Sequence, residues 1–213
     1  MKLYIMRHGD TVWNKERRLQ GGADIPLSES GKELAKITGE AIKDLEIDVC
    51  IASPLGRAKE TAKLVLGDRK IPIYIDDRIR EISFGDYEGL KFSLGEDSEI
   101  PDPDFKNFFL DPENYKVHPS AESIEKVCQR TREFMDDLAA SEDYRDKSIL
   151  LVTHGCCSRA LLRCVEEKTK NFWRGKTPPN CSISTVEFIE GKYHLVDEDR
   201  IYYDESRIIR YVE

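Results

Sequence analysis

The stretch LYIMRHGDTVWN, residues 3–14, begins as an unbroken apolar run and turns polar within one residue. Leu3-Tyr4-Ile5-Met6 lacks polar alternation, the pattern of a strand covered on both faces. Arg7-His8-Gly9-Asp10-Thr11 follows at once, with Asn14 just beyond. The run therefore predicts a buried strand that delivers an arginine and a histidine at its carboxyl end.

Working outward, DVCIAS (48–53), IPIYI (71–75) and SILLVTH (148–154) also read as strands. The spacing of Leu34, Ile37, Ala41, Ile42 and Leu45 predicts a helix over 30–45, with Ser28 or Ser30 as its cap. Further helices are expected over 57–66, 121–140 and 158–167, and ISTVEFIEGKYHLVD (183–197) reads as a hairpin turning at Glu190-Gly191. Strands alternating with helices predict an α/β fold: a three-layer α/β/α sandwich whose mostly parallel sheet carries helices on both faces. Residues 91–120 hold Pro, Asp and Phe without steady periodicity. They are expected to form a small cap excursion, a lid over one end of the sheet, within a single domain spanning 1–213.

The chain has 213 residues, 39% of them hydrophobic and 35% charged, which suits a globular domain with its own core. No run approaches the ~20 apolar residues of a membrane span, and no signal peptide is visible. The six cysteines lack paired metal spacing and several lie in apolar segments, so reduced thiols in a cytoplasmic protein are expected. A net charge of -8 argues against nucleic acid as a partner. An anionic ligand would then need its positive charge concentrated locally.

In open α/β sheets ligands bind beyond the carboxyl ends of the strands. Those ends here carry Arg7-His8-Gly9, Ser53-Pro54-Leu55-Gly56-Arg57, the segment REISFGDYEG (80–89) with Glu81, and Thr153-His154-Gly155. Taken singly, each residue has a plainer reading: a hydrogen-bonded structural histidine, a solvated arginine, a glycine in a tight turn. Two His-Gly pairs and two arginines at one edge are harder to attribute to chance. The set suits phosphoryl transfer. Arginines bind phosphate oxygens bidentately, an imidazole can attack phosphorus, and a carboxylic acid can protonate the leaving oxygen.

These segments resemble the histidine phosphatase superfamily, in its phosphoglycerate-mutase-like branch. LYIMRHGDTVWN with RRLQGGADIPLSESG (17–31), SPLGRAKET (53–61), EISFGDYEG (81–89) and VTHG (152–155) match in the family's order. The resemblance implies that His8 is the nucleophile, forming a phosphohistidine. It implies that Arg7, Arg57 and His154 surround the phosphoryl group, and that Glu81 is the general acid and then the general base. Asn14, Gln20 and Gly21 would contact phosphate or substrate. No metal and no cofactor are implied, and the partner would be a small-molecule phosphate ester. Two positions depart from the family pattern: Asp10 stands where Glu is more common, and Ala121 where Gly is.

The family holds both phosphomonoester hydrolases and cofactor-dependent phosphoglycerate mutases. The RRLQGGAD loop resembles the phosphatase branch, EISFGDYEG resembles phosphatases that include those acting on α-ribazole phosphate, and the chain is short for a mutase. A hydrolase is expected, with the mutase as the alternative. The residues admit three rival readings. Cys157 and Arg163 have the Cys-x5-Arg spacing of cysteine-dependent phosphatases, but Ser-Arg-Ala-Leu-Leu between them suits a packed helix. A metal site of His8, Asp10 and His154 lacks a ligand motif and has arginines beside it. A non-catalytic binding protein would not need all five core residues. Oligomeric state is not legible in the sequence.

Overall fold

The computed structural model describes residues 1–166 and 171–209. Six strands form one sheet: β1 (Lys2–Arg7), β2 (Val49–Ala52), β3 (Ile73–Ile75), β4 (Ser148–Thr153), β5 (Ile183–Ile189) and β6 (Lys192–Arg200). Their order is β3-β2-β4-β1-β5-β6. The first four pair in parallel, while β5 runs antiparallel to β1 and to β6. The helices are α1 (Val12–Lys15), α2 (Glu29–Ala41), α3 (Gly56–Leu66), α4 (Asn107–Leu110), α5 (Ile124–Ala140) and α6 (Gly155–Val165).

The continuous apolar runs of β1, β2 and β4 are explained by helices on both faces. Side chains alternate across a strand, so Tyr4, Met6, Cys50, Ala52, Leu150 and Val152 join Leu34, Ala35, Ala58, Ala62 and Val65 of α2 and α3. Leu3, Ile5, Val49, Ile51, Ile149 and Leu151 face the other way and join Phe134, Met135, Leu138, Leu161 and Leu162 of α5 and α6. This is the three-layer α/β/α sandwich expected from the sequence. A third cluster, largely aromatic, ties residues 84–108 to Val127, Ala160, Phe172 and Trp173.

Several boundaries differ from the sequence reading. The second helix stops at Ala41, so Leu45 lies in the turn that follows, and Ala41 itself is exposed. Its buried face runs through Leu34, Ala35, Thr38 and Gly39, and α3 comes so close that a Cβ on Gly39 would lie 2.5 Å from the Val65 carbonyl oxygen. Ser28 caps this helix through the Gly31 amide. The helix expected from 121 begins at Ile124, capped by Ser123. The helix expected over 158–167 begins earlier, at Gly155, because His154 already serves as its N-cap. Glu167, its expected end, lies outside the described residues. The strand expected over 71–75 is confined to an exposed edge at 73–75, and the hairpin turns at Glu190-Gly191.

Candidate active site

The carboxyl ends of β1, β2 and β4 lie side by side, so the chain places Arg7-His8, Ser53 and His154 together. Because β5 is antiparallel to β1, its start lies at this same edge. The hydrogen bonds of Cys181 N–H to the Arg7 and His8 carbonyls fix that join. Thr177 to Asn180 therefore reach the site from the far end of the sequence.

The His8 ring is buried. Its Nδ1 lies 2.6 Å from the Gly9 carbonyl oxygen, which can only accept, so Nδ1 carries the proton. The lone pair is then on Nε2, which accepts from Arg57 Nε at 3.3 Å. Burial, then the neighbouring Arg57 and Arg7, hold the pKa of His8 well below the usual histidine range. At neutral pH the ring is an uncharged base with its nitrogen lone pair directed at an arginine.

Arg57 is fully buried on α3. Its Nη1 and Nη2 donate to the Ala23 and Gly21 carbonyls at 2.7 and 2.8 Å. The terminal fork expected to grip a ligand is thus occupied by backbone, and Nε is the donor turned to His8. Burial pulls its pKa down to about 10, which still leaves it charged at neutral pH. The loop holding those carbonyls is fastened by Glu88, which accepts from the Gly21, Gly22 and Phe84 amides at 2.8–2.9 Å. Gly21 spends its amide on Glu88 and its carbonyl on Arg57, and a Cβ there would lie 2.0 Å from the Ile82 carbonyl oxygen. Gly21, expected to touch the ligand, also forms part of the frame around Arg57.

Glu81 is buried, with its carboxylate over the start of α6. It accepts from the Ile82, Cys156 and Cys157 amides at 3.0–3.1 Å. Burial raises its pKa against the opposing pull of those amides and of Arg57. Arg130 holds the Glu81 carbonyl at 3.2 Å while paired with Glu122. Arg7 donates to the Pro178 carbonyl at 2.5 Å. A Cβ added to Gly155 would sit 3.6 Å from Glu81 Oε2 and 3.7 Å from Arg7 Nε, so the two side chains meet over that glycine.

His154 stands edge-on to His8, ring centroids 5.0 Å apart. Burial, then Arg57, His8, Arg7 and Arg130, keep its pKa well below the usual range. Gln20 Oε1 accepts from Thr11 Oγ1 and Asn14 Nδ2 at 2.6 and 3.3 Å. That fixes which end of the amide is which. Asn14 Oδ1 accepts from the Thr11 amide and from Asn180 Nδ2. Among the described residues, Gln20 Nε2, Asn180 Oδ1 and His154 Nδ1 are buried without a hydrogen-bond partner. Buried polar atoms are rarely left so: Gln20 Nε2, a donor beside cationic residues, suits an incoming ligand rich in oxygen, whereas Asn180 Oδ1 can only accept, as from a ligand hydroxyl.

Arg7, Asn14, Gln20, Glu81 and Gly155 line a small cleft, whose mouth is formed by Phe84, Phe108, Phe109 and Trp173. Of the aromatic residues from the excursion, Phe92, Phe105 and Phe108 are buried anchors. Asp10, whose shortened side chain departs from the family pattern, accepts from the Ser28 and Ser30 hydroxyls and so ties this loop to the start of α2. Among the described residues, no group of His, Cys, Asp or Glu side chains is arranged to hold a metal ion. The Cys157-to-Arg163 stretch lies within α6, and burial pushes the Cys157 thiol up to about 12. All six cysteines are unbridged, and no described helix is long and apolar enough to cross a membrane.

The structure brings together seven of the residues singled out in the sequence: Arg7, His8, Asn14, Gln20, Arg57, Glu81 and His154. It gave no part to Ser53, Glu88 or Asn180. Ser53 and Glu88 lie within the segments SPLGRAKET and EISFGDYEG, while Asn180 depends on the antiparallel placement of β5, which no local pattern encodes.

Residues 3–199 match the family model described as histidine phosphatase superfamily (branch 1). The chain is 32% identical over 194 residues to an uncharacterized phosphatase, PhoE, of Bacillus subtilis, covering 91% of each protein. It is 34% identical over 190 residues to a probable phosphoglycerate mutase, GpmB, of Erwinia tasmaniensis, covering 88% of this chain and 85% of that one. Among solved structures it resembles Bacillus stearothermophilus YhfR, with a TM-score of 0.83, 32% identity, and 94% and 97% of the two chains covered.

Proposed function

The chain belongs to the histidine phosphatase superfamily, and from that premise we propose that it is a metal-independent phosphomonoester hydrolase acting on a small organic phosphate through a phosphohistidine on His8. The observation that carries this reading is the His8 ring itself. Its Nδ1 proton is held by the Gly9 carbonyl and its Nε2 lone pair is turned to a buried arginine. That is the orientation and protonation state in which imidazole is a nucleophile.

In the first step Nε2 of His8 attacks phosphorus, the bond to the ester oxygen breaks, and Glu81 gives that oxygen its proton. The raised pKa of Glu81 suits it to hold one. In the second step Glu81 takes a proton from water, the water oxygen bonds to phosphorus, and the P–N bond breaks. Inorganic phosphate leaves, and His8 and Glu81 return to their starting states. Arg7, Arg57 Nε and His154 face the charge that spreads over the phosphoryl oxygens. Two buried guanidinium groups beside the histidines supply this charge without a metal and would repel one.

A mutase reading is favoured by the 34% identity to a relative named as a probable phosphoglycerate mutase. The two differ in what attacks the phosphohistidine: water, or a retained sugar-acid hydroxyl. Phosphorus NMR with 3-phosphoglycerate, a trace of 2,3-bisphosphoglycerate and a chelator separates them. Growth of inorganic phosphate is expected. Growth of 2-phosphoglycerate without free phosphate would overturn the hydrolase.

A further inference from the structure

Ser53 closes β2, is fully buried, and belongs to no part of the mechanism above. Its Oγ lies 2.7 Å from His154 Nε2. The same oxygen accepts, more loosely, from the Leu55 amide at 3.4 Å. If His154 Nε2 carried the ring proton, Oγ would receive two N–H groups, and among the described residues its own hydrogen would be left without an acceptor. If the Ser53 O–H donates to Nε2 instead, both Oγ and Nε2 are satisfied. The ring is held neutral by burial and by the surrounding cations, so its single proton must then sit on Nδ1. Among the described residues, Nδ1 is the ring atom that has no partner.

We propose that Ser53 is a positioning residue that fixes His154 as the Nδ1–H tautomer, so that the unpartnered nitrogen meets the phosphoryl group as a hydrogen-bond donor. This rests on the phosphoryl-transfer reading above. The neutral tautomer of a histidine is set by what its other nitrogen bonds to. A bare lone pair at Nδ1 would repel phosphoryl oxygens, whereas an N–H attracts them. The hydroxyl thus selects the sign of the contact without touching the ligand. His8 is governed by the complementary device: there a carbonyl, which can only accept, keeps the proton on Nδ1 and leaves Nε2 as the nucleophile. One acceptor and one donor set two adjacent rings to opposite tasks.

Long-range proton–nitrogen NMR of the ¹⁵N-histidine-labelled full chain tests this without any turnover. In the resting wild type at neutral pH, His154 is expected to show protonated Nδ1 and bare Nε2. Ser53→Ala should bring in the Nε2–H form, and Ser53→Thr, which keeps the hydroxyl, should restore the wild-type pattern. Titration with orthovanadate should show roughly 10- to 100-fold weaker binding for Ser53→Ala, the scale of one hydrogen bond to a charged acceptor. The loss of kcat/KM should follow it. A wild-type ring protonated on Nε2 overturns the proposal even if no variant folds. So does a Ser53→Ala protein that keeps the wild-type tautomer or binds vanadate as tightly. If the tautomers behave as expected but no phosphohistidine ever forms on His8, the hydrolase reading fails and the assignment of Ser53 stands.

Discussion

The floor of the cleft and its mouth are built by different rules. Arg7 and Glu81 on the floor, and His8, Arg57 and His154 beneath them, are buried and held largely by bonds to backbone: carbonyls of Gly9, Gly21, Ala23 and Pro178, amides of Ile82, Cys156 and Cys157. The mouth is held by rings. Phe109 packs on Phe92 at 4.9 Å and on Trp173 at 5.2 Å, and Trp173 donates its Nε1 to the Phe108 carbonyl. Backbone groups fix a side chain to a fraction of an ångström, which chemistry needs. Ring packing sets shape and tolerates exchange. Substitutions on the floor should therefore disable the protein on every substrate, and substitutions at the mouth should discriminate between substrates.

The largest effect is expected at His8. His8→Ala removes the covalent route, and kcat should fall by about 10⁴-fold or more on any phosphomonoester. No phosphoenzyme should be trapped by quenching without acid. A variant retaining a tenth of wild-type activity would break the comparison at its centre. Arg57→Lys comes next. A lysine cannot satisfy both the Gly21 and Ala23 carbonyls and also present a donor to His8. A loss of roughly 10²- to 10³-fold in kcat/KM is expected, on small and large substrates alike. A loss confined to large substrates would place Arg57 functionally with the mouth.

Glu81→Gln sharpens the contrast by chemistry rather than size. An alkyl phosphate needs its leaving oxygen protonated, so roughly 10²-fold or more should be lost there, and much less on nitrophenyl phosphate. The pH profile follows from the two shifts. His8 is active unprotonated, and its lowered pKa keeps it so well into acid. Glu81 is active protonated, and its raised pKa extends that form upward. Rate on an alkyl phosphate should therefore fall as pH rises through the Glu81 pKa, and fall at low pH as His8 protonates. In Glu81→Gln the alkaline limb should vanish. If it persists, another group is the acid.

How much of this was legible followed the same division. Apolar runs without alternation predicted the parallel core, because burial on both faces leaves no room for polar residues in β1, β2 and β4. The strand-end residues were legible because the chain turns polar where the sheet ends. The employment of each atom was not. That the Arg57 fork grips two carbonyls depends on the loop at 21–23, whose path is set by Glu88 some 67 positions further along. That Ala41 faces solvent follows from the buried face of α2, which runs through Leu34, Ala35, Thr38 and Gly39 to Ile42 and leaves position 41 off it. The aromatic residues of 91–120 have no period, because they fill a space between α5, α6 and the 171–173 segment rather than one face of an element.

The smallest effect is expected from Phe109→Ala at the mouth. Phe109 is half-buried, and its ring lines the cleft. Its loss should leave kcat/KM on methyl phosphate within about twofold, since that substrate ends before the mouth begins. On 1-naphthyl phosphate, KM should rise by up to roughly tenfold, the scale of one apolar contact. The comparison between these two substrates carries the test. If both lose equally, the aromatic cluster is transmitting disorder to Glu81 and Cys156, and mouth and floor are one structure. If the larger substrate alone suffers, the rings determine which ester enters a site whose chemistry they leave untouched.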